Sequence, residues 1–221
     1  MSCEKLRVKI LVLGDREVGK TSFIQKFIFP DQDRKKRKTI TCDGYKKLLQ
    51  TSDSKQIDLR IFDTYAGDSD TNLPKFITRN VSAAFILVDA RDTDWVETIE
   101  KWLKVLHQHE EESEITQKSF IGEFKPAPFY IIANKVDEFA FQQQIDEAYN
   151  EVKSVAKKVG AEDGFIVSSK ENCTPVDFTS TFAFISNIEE IFKICIEKLN
   201  SDGLLVQGSV TVSSEPKITL L

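Results

Sequence analysis

Short apolar runs alternate with amphipathic stretches along most of this chain. Leu6–Leu13 is an apolar run of strand length, and Thr21–Phe29 follows it with Phe23, Ile24, Phe27 and Ile28 on one helical face. Tyr45–Gln50 and Ile57–Asp63 flank the turn formers Thr51-Ser52-Asp53-Ser54 and predict a hairpin. Ala83–Asp89 reads as a buried strand and Thr93–His107 as a helix. Phe129–Ala133 and Phe165–Val167 are two further strands. Between them, Gln142–Val159 sets Ile145, Ala148, Tyr149, Val152 and Val155 at helical spacing. Thr181–Leu199 does the same with Phe184, Ile188, Ile191, Cys195 and Leu199. The alternation predicts an α/β fold, a mostly parallel six-stranded sheet with helices on both faces and a ligand at the strands' carboxyl ends.

Two stretches depart from this rhythm. His107 to Pro128 reads as a long loop in which Glu110-Glu111-Glu112 is mixed with Phe120, Ile121 and Phe124. Loops of that length are functional or disordered, so a partner contact and an insertion without a role both stay open. His107 and His109, at its start, read as solvated side chains rather than metal ligands. Ser201 to Leu221 reads as a flexible tail, leaving residues 1–200 as a single domain.

Chemistry enters between the first strand and the first helix. Gly14 to Thr21 reads G-x-x-x-x-G-K-[ST], in the strand–turn–helix context that pattern requires. Such a turn lets backbone N–H groups of Gly14, Glu17, Val18 and Gly19 converge on an anion. Lys20 then reaches the β- and γ-phosphates of a nucleotide, and the Thr21 hydroxyl is placed to ligate Mg²⁺. The positive end of the helix lies beneath the phosphates.

The base is specified by Asn134-Lys135-Val136-Asp137, at the end of a buried strand. The Asp137 carboxylate can accept from the guanine ring N1–H and from the exocyclic 2-amino group. Adenine offers neither donor, and polar groups left unpaired by the wrong base are costly. Lys135 can lay its stem along the base. Ser168-Ser169-Lys170 ends the next strand, where a backbone N–H can meet the guanine 6-oxygen.

With these motifs in order, the chain resembles the Ras superfamily of small GTPases, and its Rab branch most closely, from Leu6 to Leu199. Thr39-Ile40-Thr41-Cys42-Asp43-Gly44-Tyr45 is similar to the Rab segment T-I-G-x-D-[FY], and Ile57–Thr64 to the strand ending in W-D-T. Asp92–Leu103, with Trp95 and Trp102, resembles the helix that carries a tryptophan in Rab proteins. The resemblance implies a P-loop NTPase G domain that binds GTP and GDP with Mg²⁺ and hydrolyses GTP. Thr21 and Thr39 would ligate Mg²⁺, and Asp63 would hold a Mg²⁺-bound water. The Thr39 and Gly67 backbone N–H groups would touch the γ-phosphate. Effector, exchange-factor and GTPase-activating proteins would meet segments 30–45 and 63–79.

The departures bear on catalysis. Where the family has D-T-A-G-Q, this chain has Asp63-Thr64-Tyr65-Ala66-Gly67-Asp68. Either Tyr65 is inserted or Ala66 replaces the glycine. In both registers the water-orienting glutamine is absent, and Gly67 or Asp68 stands in its place. Arg16 and Glu17 occupy loop positions that are usually small. Arg16 either crowds the γ-phosphate or serves as a cation in cis. No aromatic stands at Gln32, where the family often edges the guanine with one, and Phe29 is the substitute at hand.

Composition narrows the partners. The 221 residues are 41% hydrophobic and 29% charged, enough for one α/β domain, and the net charge of −5 excludes a general nucleic-acid binder. The basic run Asp33–Lys38 reads equally as a solvated loop or as a partner or anionic-lipid contact. Cys3, Cys42, Cys173 and Cys195 lack metal or C-x-x-C spacing, so free thiols are expected. No secretory leader, membrane span or C-terminal prenylation cysteine is seen, and Ser2 disfavours myristoylation. The expectation is a monomeric, cytoplasmic protein without a stable lipid anchor, reaching membranes only through partners.

Overall fold

The computed structural model describes residues 6–30, 42–50, 56–65, 73–117, 127–170 and 187–204, with backbone alone at 75 and 108–117. The chain runs β1 (Leu6–Gly14), α1 (Lys20–Ile28), β2 (Asp43–Gln50), β3 (Gln56–Asp63), a short α2 (Lys75–Thr78) and β4 (Ala83–Asp89). It continues through α3 (Trp95–Gln117), β5 (Phe129–Asn134), α4 (Gln142–Val159), β6 (Asp163–Val167) and α5 (Ile188–Ser201). A single 3₁₀ turn, Val136–Glu138, follows β5.

The six strands form one sheet in the order β2-β3-β1-β4-β5-β6. Only β2 runs antiparallel, paired with β3 as the hairpin pattern predicts. The register pairs Val12 with Asp63, Gly14 with Leu87, Asp89 with Asn134, and Asn134 with Val167. It therefore sets the carboxyl ends of five parallel strands along one rim, with the reversal of strand order at β1.

Alternation along β1 divides the core in two. Val8, Ile10 and Val12 face one layer, where α1 and α5 pack through Phe23, Phe27 and Phe192. The rings of Phe27 and Phe192 stack at 3.8 Å between centroids. Leu11 and Leu13 face the other layer, closed by α3 and α4 with Trp95, Trp102 and Val152. Helices thus cover both faces of a mostly parallel six-stranded α/β sheet, as the pattern predicts. At the start of β1, Lys9 is instead a tether. Its Nζ donates to the carbonyls of Phe76 (2.8 Å) and Arg79 (2.7 Å), holding the end of α2. Burial pushes this ammonium down to about 8.

Strand ends move by one or two residues, and three of the four expected helices differ from the sequence reading. Helix α1 is displaced by one residue, from Thr21–Phe29 to Lys20–Ile28. Helix α3 does not stop at His107 but continues to Gln117, so the expected loop begins as helix. No Gly or Pro falls between 107 and 117, and good helix formers such as Glu and Gln carry the helix onward. Helix α5 starts at Ile188 rather than Thr181, because Asn187 has extended backbone and its side chain accepts from the Glu189 N–H at 2.8 Å. Phe184, assigned to that helix from spacing, lies outside the described residues.

Candidate nucleotide-binding site

The turn between β1 and α1 is shaped by what its glycines avoid. Gly14 has φ 139°, and a Cβ there would stand 2.3 Å from the Leu87 carbonyl oxygen. Gly19 has φ 96°, and its Cβ would stand 2.3 Å from Asn134 Nδ2. Helix α1 then begins without a side-chain cap, and the positive end of its dipole faces this turn. Lys20 is 7% exposed, and its Nζ donates to the carbonyls of Gly14 (2.8 Å) and Asp15 (2.7 Å). Burial pushes its pKa down to about 8, against the opposing pull of Asp63 and Asp15. A buried ammonium held by uncharged carbonyls beside uncapped helix N–H groups is complementary to a polyanion.

Thr21 and Asp63 come together although forty-two positions separate them: Thr21 Oγ1 donates to Asp63 Oδ2 at 2.5 Å. Asp63 ends β3 fully buried. A hydroxyl and a carboxylate are hard oxygen donors, and Mg²⁺ binds proteins through one or two such groups plus water and substrate phosphates. The donor chemistry therefore fits that ion.

Arg16 and Glu17, the large residues of this loop, lie on its exposed bend. Glu17 has φ 64°, a left-handed conformation costing a residue with a Cβ about 1 kcal/mol. Arg16 Nε lies 3.8 Å from Glu17 Oε1, and both side chains are substantially exposed. Such a pair adds little to stability.

On the base side, Asn134 is a tie between loops. Its Nδ2 donates to the Val18 carbonyl at 2.8 Å, and its Oδ1 accepts from Ser169 N–H (3.0 Å) and Ser169 Oγ–H (2.9 Å). Asp137 accepts from Ser168 Oγ–H at 2.6 Å, and Lys170 Nζ stands 3.6 Å from its other oxygen. Lys135 has φ 72°, and its Nζ donates to Asp89 Oδ2 at 2.7 Å. Gly14, Glu17, Val18, Gly19, Lys20, Thr21, Asp63, Asn134, Lys135, Asp137, Ser168, Ser169 and Lys170 thus gather on one rim. Thr39, Gly67 and Asp68 lie outside the described residues. Phe29 is not available to edge a base: it is 4% exposed and belongs to the core beneath α1.

Two partner sets escaped the sequence reading. Asp89 ends β4 nearly buried and accepts both Lys135 and a two-pronged contact from Arg91 (2.9 and 2.6 Å). Burial raises its pKa, but the hydrogen bonds from Arg91 and Lys135 outweigh that and hold it well below the carboxylate range. Asp15 Oδ1 accepts from Lys101 Nζ (2.7 Å) and Trp102 Nε1 (2.8 Å) of α3. A carboxylate ending a buried strand is a signal that would have found Asp89; the α3 contacts span more than eighty positions and leave no local trace.

Among the described residues, no helix is long and apolar enough to cross a membrane, and no cluster of three His, Cys, Asp or Glu could hold a metal. Residues 9–123 match the family described as Ras of Complex, Roc, domain of DAPkinase. The chain is 27% identical to Ras-related protein Rab-7L1 of Rattus norvegicus over 195 residues, covering 88% of this chain and 83% of that one. It is 24% identical to human Ras-related protein Rab-32 (86% and 74% covered) and 23% identical to the Ypt/Rab-type GTPase YPT7 of Saccharomyces cerevisiae (91% and 88% covered). With a matched family spanning half of its length and Rab proteins aligned over most of the rest, the chain belongs to the Roc and Ras superfamily of GTPases and is a Rab-like small GTPase.

Proposed function

We propose that this GTPase is a molecular switch that binds GTP and GDP with Mg²⁺ and hydrolyses GTP slowly, acting in vesicle traffic or signalling through partner proteins. The observation that carries the reading is the Asn134 tie, because one side chain fastens the phosphate loop at Val18 to the base-side loop at Ser169. A nucleotide is a ligand with a phosphate end and a base end at a fixed separation, and a tie between the two loops holds both half-sites in register.

In this reading, backbone N–H groups of Gly14 to Gly19 and the Lys20 ammonium bind the phosphates. Asp137 and the Ser168–Lys170 backbone select guanine, and Lys135 packs along it. Thr21, Thr39 and Asp63 would hold Mg²⁺, directly or through water; the ion neutralises charge on the phosphate oxygens when bound. In such sites catalysis is positioning and charge stabilisation. Gly67 or Asp68 stands where a glutamine would orient water, which supports slow turnover, and Arg16 in the phosphate loop either crowds the γ-phosphate or serves as a cation in cis. Segments 30–45 and 63–79 would meet effectors, exchange factors and GTPase-activating proteins. The protein would act as a monomer in the cytoplasm, without nucleic acid.

A second reading, a GTP-binding scaffold deficient in hydrolysis, is favoured by the departures from Asp63 to Asp68, where no glutamine stands to orient water. Bound nucleotide released from the purified protein, competition by ATP, and a single-turnover GTPase assay test both. Guanine nucleotide with slow turnover supports the switch; guanine nucleotide with no turnover supports the scaffold. Equal affinity for ATP and GTP overturns both.

A further inference from the structure

We infer that Trp102 and Lys101 of α3 are positioning residues for the phosphate-binding Lys20, acting through Asp15. The inference rests on the nucleotide-binding reading above and adds the element that aligns its phosphate end.

The contacts form a continuous chain. Trp102 Nε1 (2.8 Å) and Lys101 Nζ (2.7 Å) both donate to Asp15 Oδ1. The carbonyl of the same Asp15 accepts from Lys20 Nζ at 2.7 Å. Turning Asp15 about its own backbone therefore shifts an oxygen that orients Lys20. It would also bring a carboxylate toward the ligand's phosphates, where like charge repels. Two donors from α3 hold that carboxylate against the helix instead.

The two donors are unequal. Lys101 and Asp15 have side chains 45% and 40% exposed, so their ion pair is screened by water. Trp102 is 1% exposed, and its indole N–H, if deprived of Asp15, is left without water to replace it. The indole therefore dominates, and the lysine assists. The inner half of α3 is rigid enough for the task, because Trp95, Ile99 and Trp102 are buried together against the sheet. Neighbouring Arg16 and Glu17 add bulk and strain to the same loop, which increases the need for an external hold.

The test is the release rate of GDP from the full chain, measured by displacement of a fluorescent GDP analogue. Trp102→Phe keeps an aromatic side chain, though a smaller one, and removes the donor; release is expected to quicken about tenfold, the scale of losing a hydrogen bond to a charged group. Lys101→Met should quicken it only about twofold, and Lys101→Arg should restore it, as befits an exposed pair. In an Asp15→Ala background, neither substitution should change the rate further. That coupling separates positioning through Asp15 from a loss of core packing, which would add to the Asp15→Ala effect. Should Trp102→Phe fail to fold, the Lys101 series and its coupling to Asp15→Ala decide alone. Wild-type GDP binding with rates unmoved by these substitutions, or with fully additive effects, overturns the inference. A wild type that binds no guanine nucleotide overturns the proposed function itself, a different result.

Discussion

The two halves of the candidate site are built on different terms. On the base side, Asn134 with Ser169 and Asp137 with Ser168 form short hydrogen bonds among buried or half-buried groups, and the exposed Lys170 stands 3.6 Å from Asp137. On the phosphate side, Lys20 is well packed, but the bend above it holds Glu17 in a left-handed backbone and Arg16 in a weak, exposed pair. Recognition needs preformed partners for a rigid base, whereas turnover needs a few groups aimed at charge that develops only in the transition state. A chain can keep the first and lose much of the second, which is the direction of the proposed slow turnover.

The comparison breaks most visibly at Asp137. Asp137→Asn should lower the preference for GTP over other nucleotides by about three orders of magnitude and shift it toward xanthine nucleotides, since a site built to pair with substrate donors rejects mismatched ones strongly. Competition binding with GTP, XTP and ATP measures it, and an unchanged preference would remove Asp137 from base selection. Asn134→Ala should cost about 2–4 kcal/mol of stability, because the Val18 carbonyl and the Ser169 N–H each lose a buried partner. Urea unfolding of the nucleotide-free protein reads this, and a loss below half a unit of that scale would show the two loops are held by other means.

Three smaller tests sharpen the phosphate half. Arg16→Gly is expected to raise the single-turnover rate, because the Arg16 guanidinium lies beside Glu17 in an exposed bend. A fall in rate would instead make Arg16 a stabiliser of transition-state charge. Glu17→Gly should raise stability by about 1 kcal/mol by relieving the left-handed residue, seen as a higher urea midpoint. Lys9 provides a reference far from the loop. Its pKa is about 8 in the fold against an ordinary 10.5, so between those values the unfolded chain binds more protons and stability rises with pH. Lys9→Met should reduce that rise between pH 8 and pH 10 in thermal unfolding, while Lys20, also near 8, keeps its own share.

Much of the fold was legible because its signals are local. The strand before Gly14, the glycines of the turn and the helix after Lys20 are neighbours in sequence, and burying apolar faces at periods of two and 3.6 dictates the layers. The base-side motif was legible for the same reason, since Asn134, Lys135 and Asp137 follow one strand directly. The far end of α3 was misread because the length of the segment after His107 suggested a loop, while no Gly or Pro falls before Gln117 to stop a helix. Phe29 was misread because an aromatic at the right distance from Lys20 says nothing about which face of α1 it ends on.

By itself, the sequence determined the alternation of strands and helices, and it pointed to the turn proposed to hold phosphates and to the residues proposed to read the base. The tertiary structure decided which of those residues bind one another. Asn134 fastens Val18 to Ser169, Asp89 holds Lys135, and Trp102 holds Asp15. The first two pairings join segments that are adjacent because parallel strands set their carboxyl ends on one rim, and the third joins the turn after β1 to helix α3 packed on the sheet. Hydrogen bonds are decided by distances of about 3 Å, and a sequence specifies such distances only through the packing of the whole sheet.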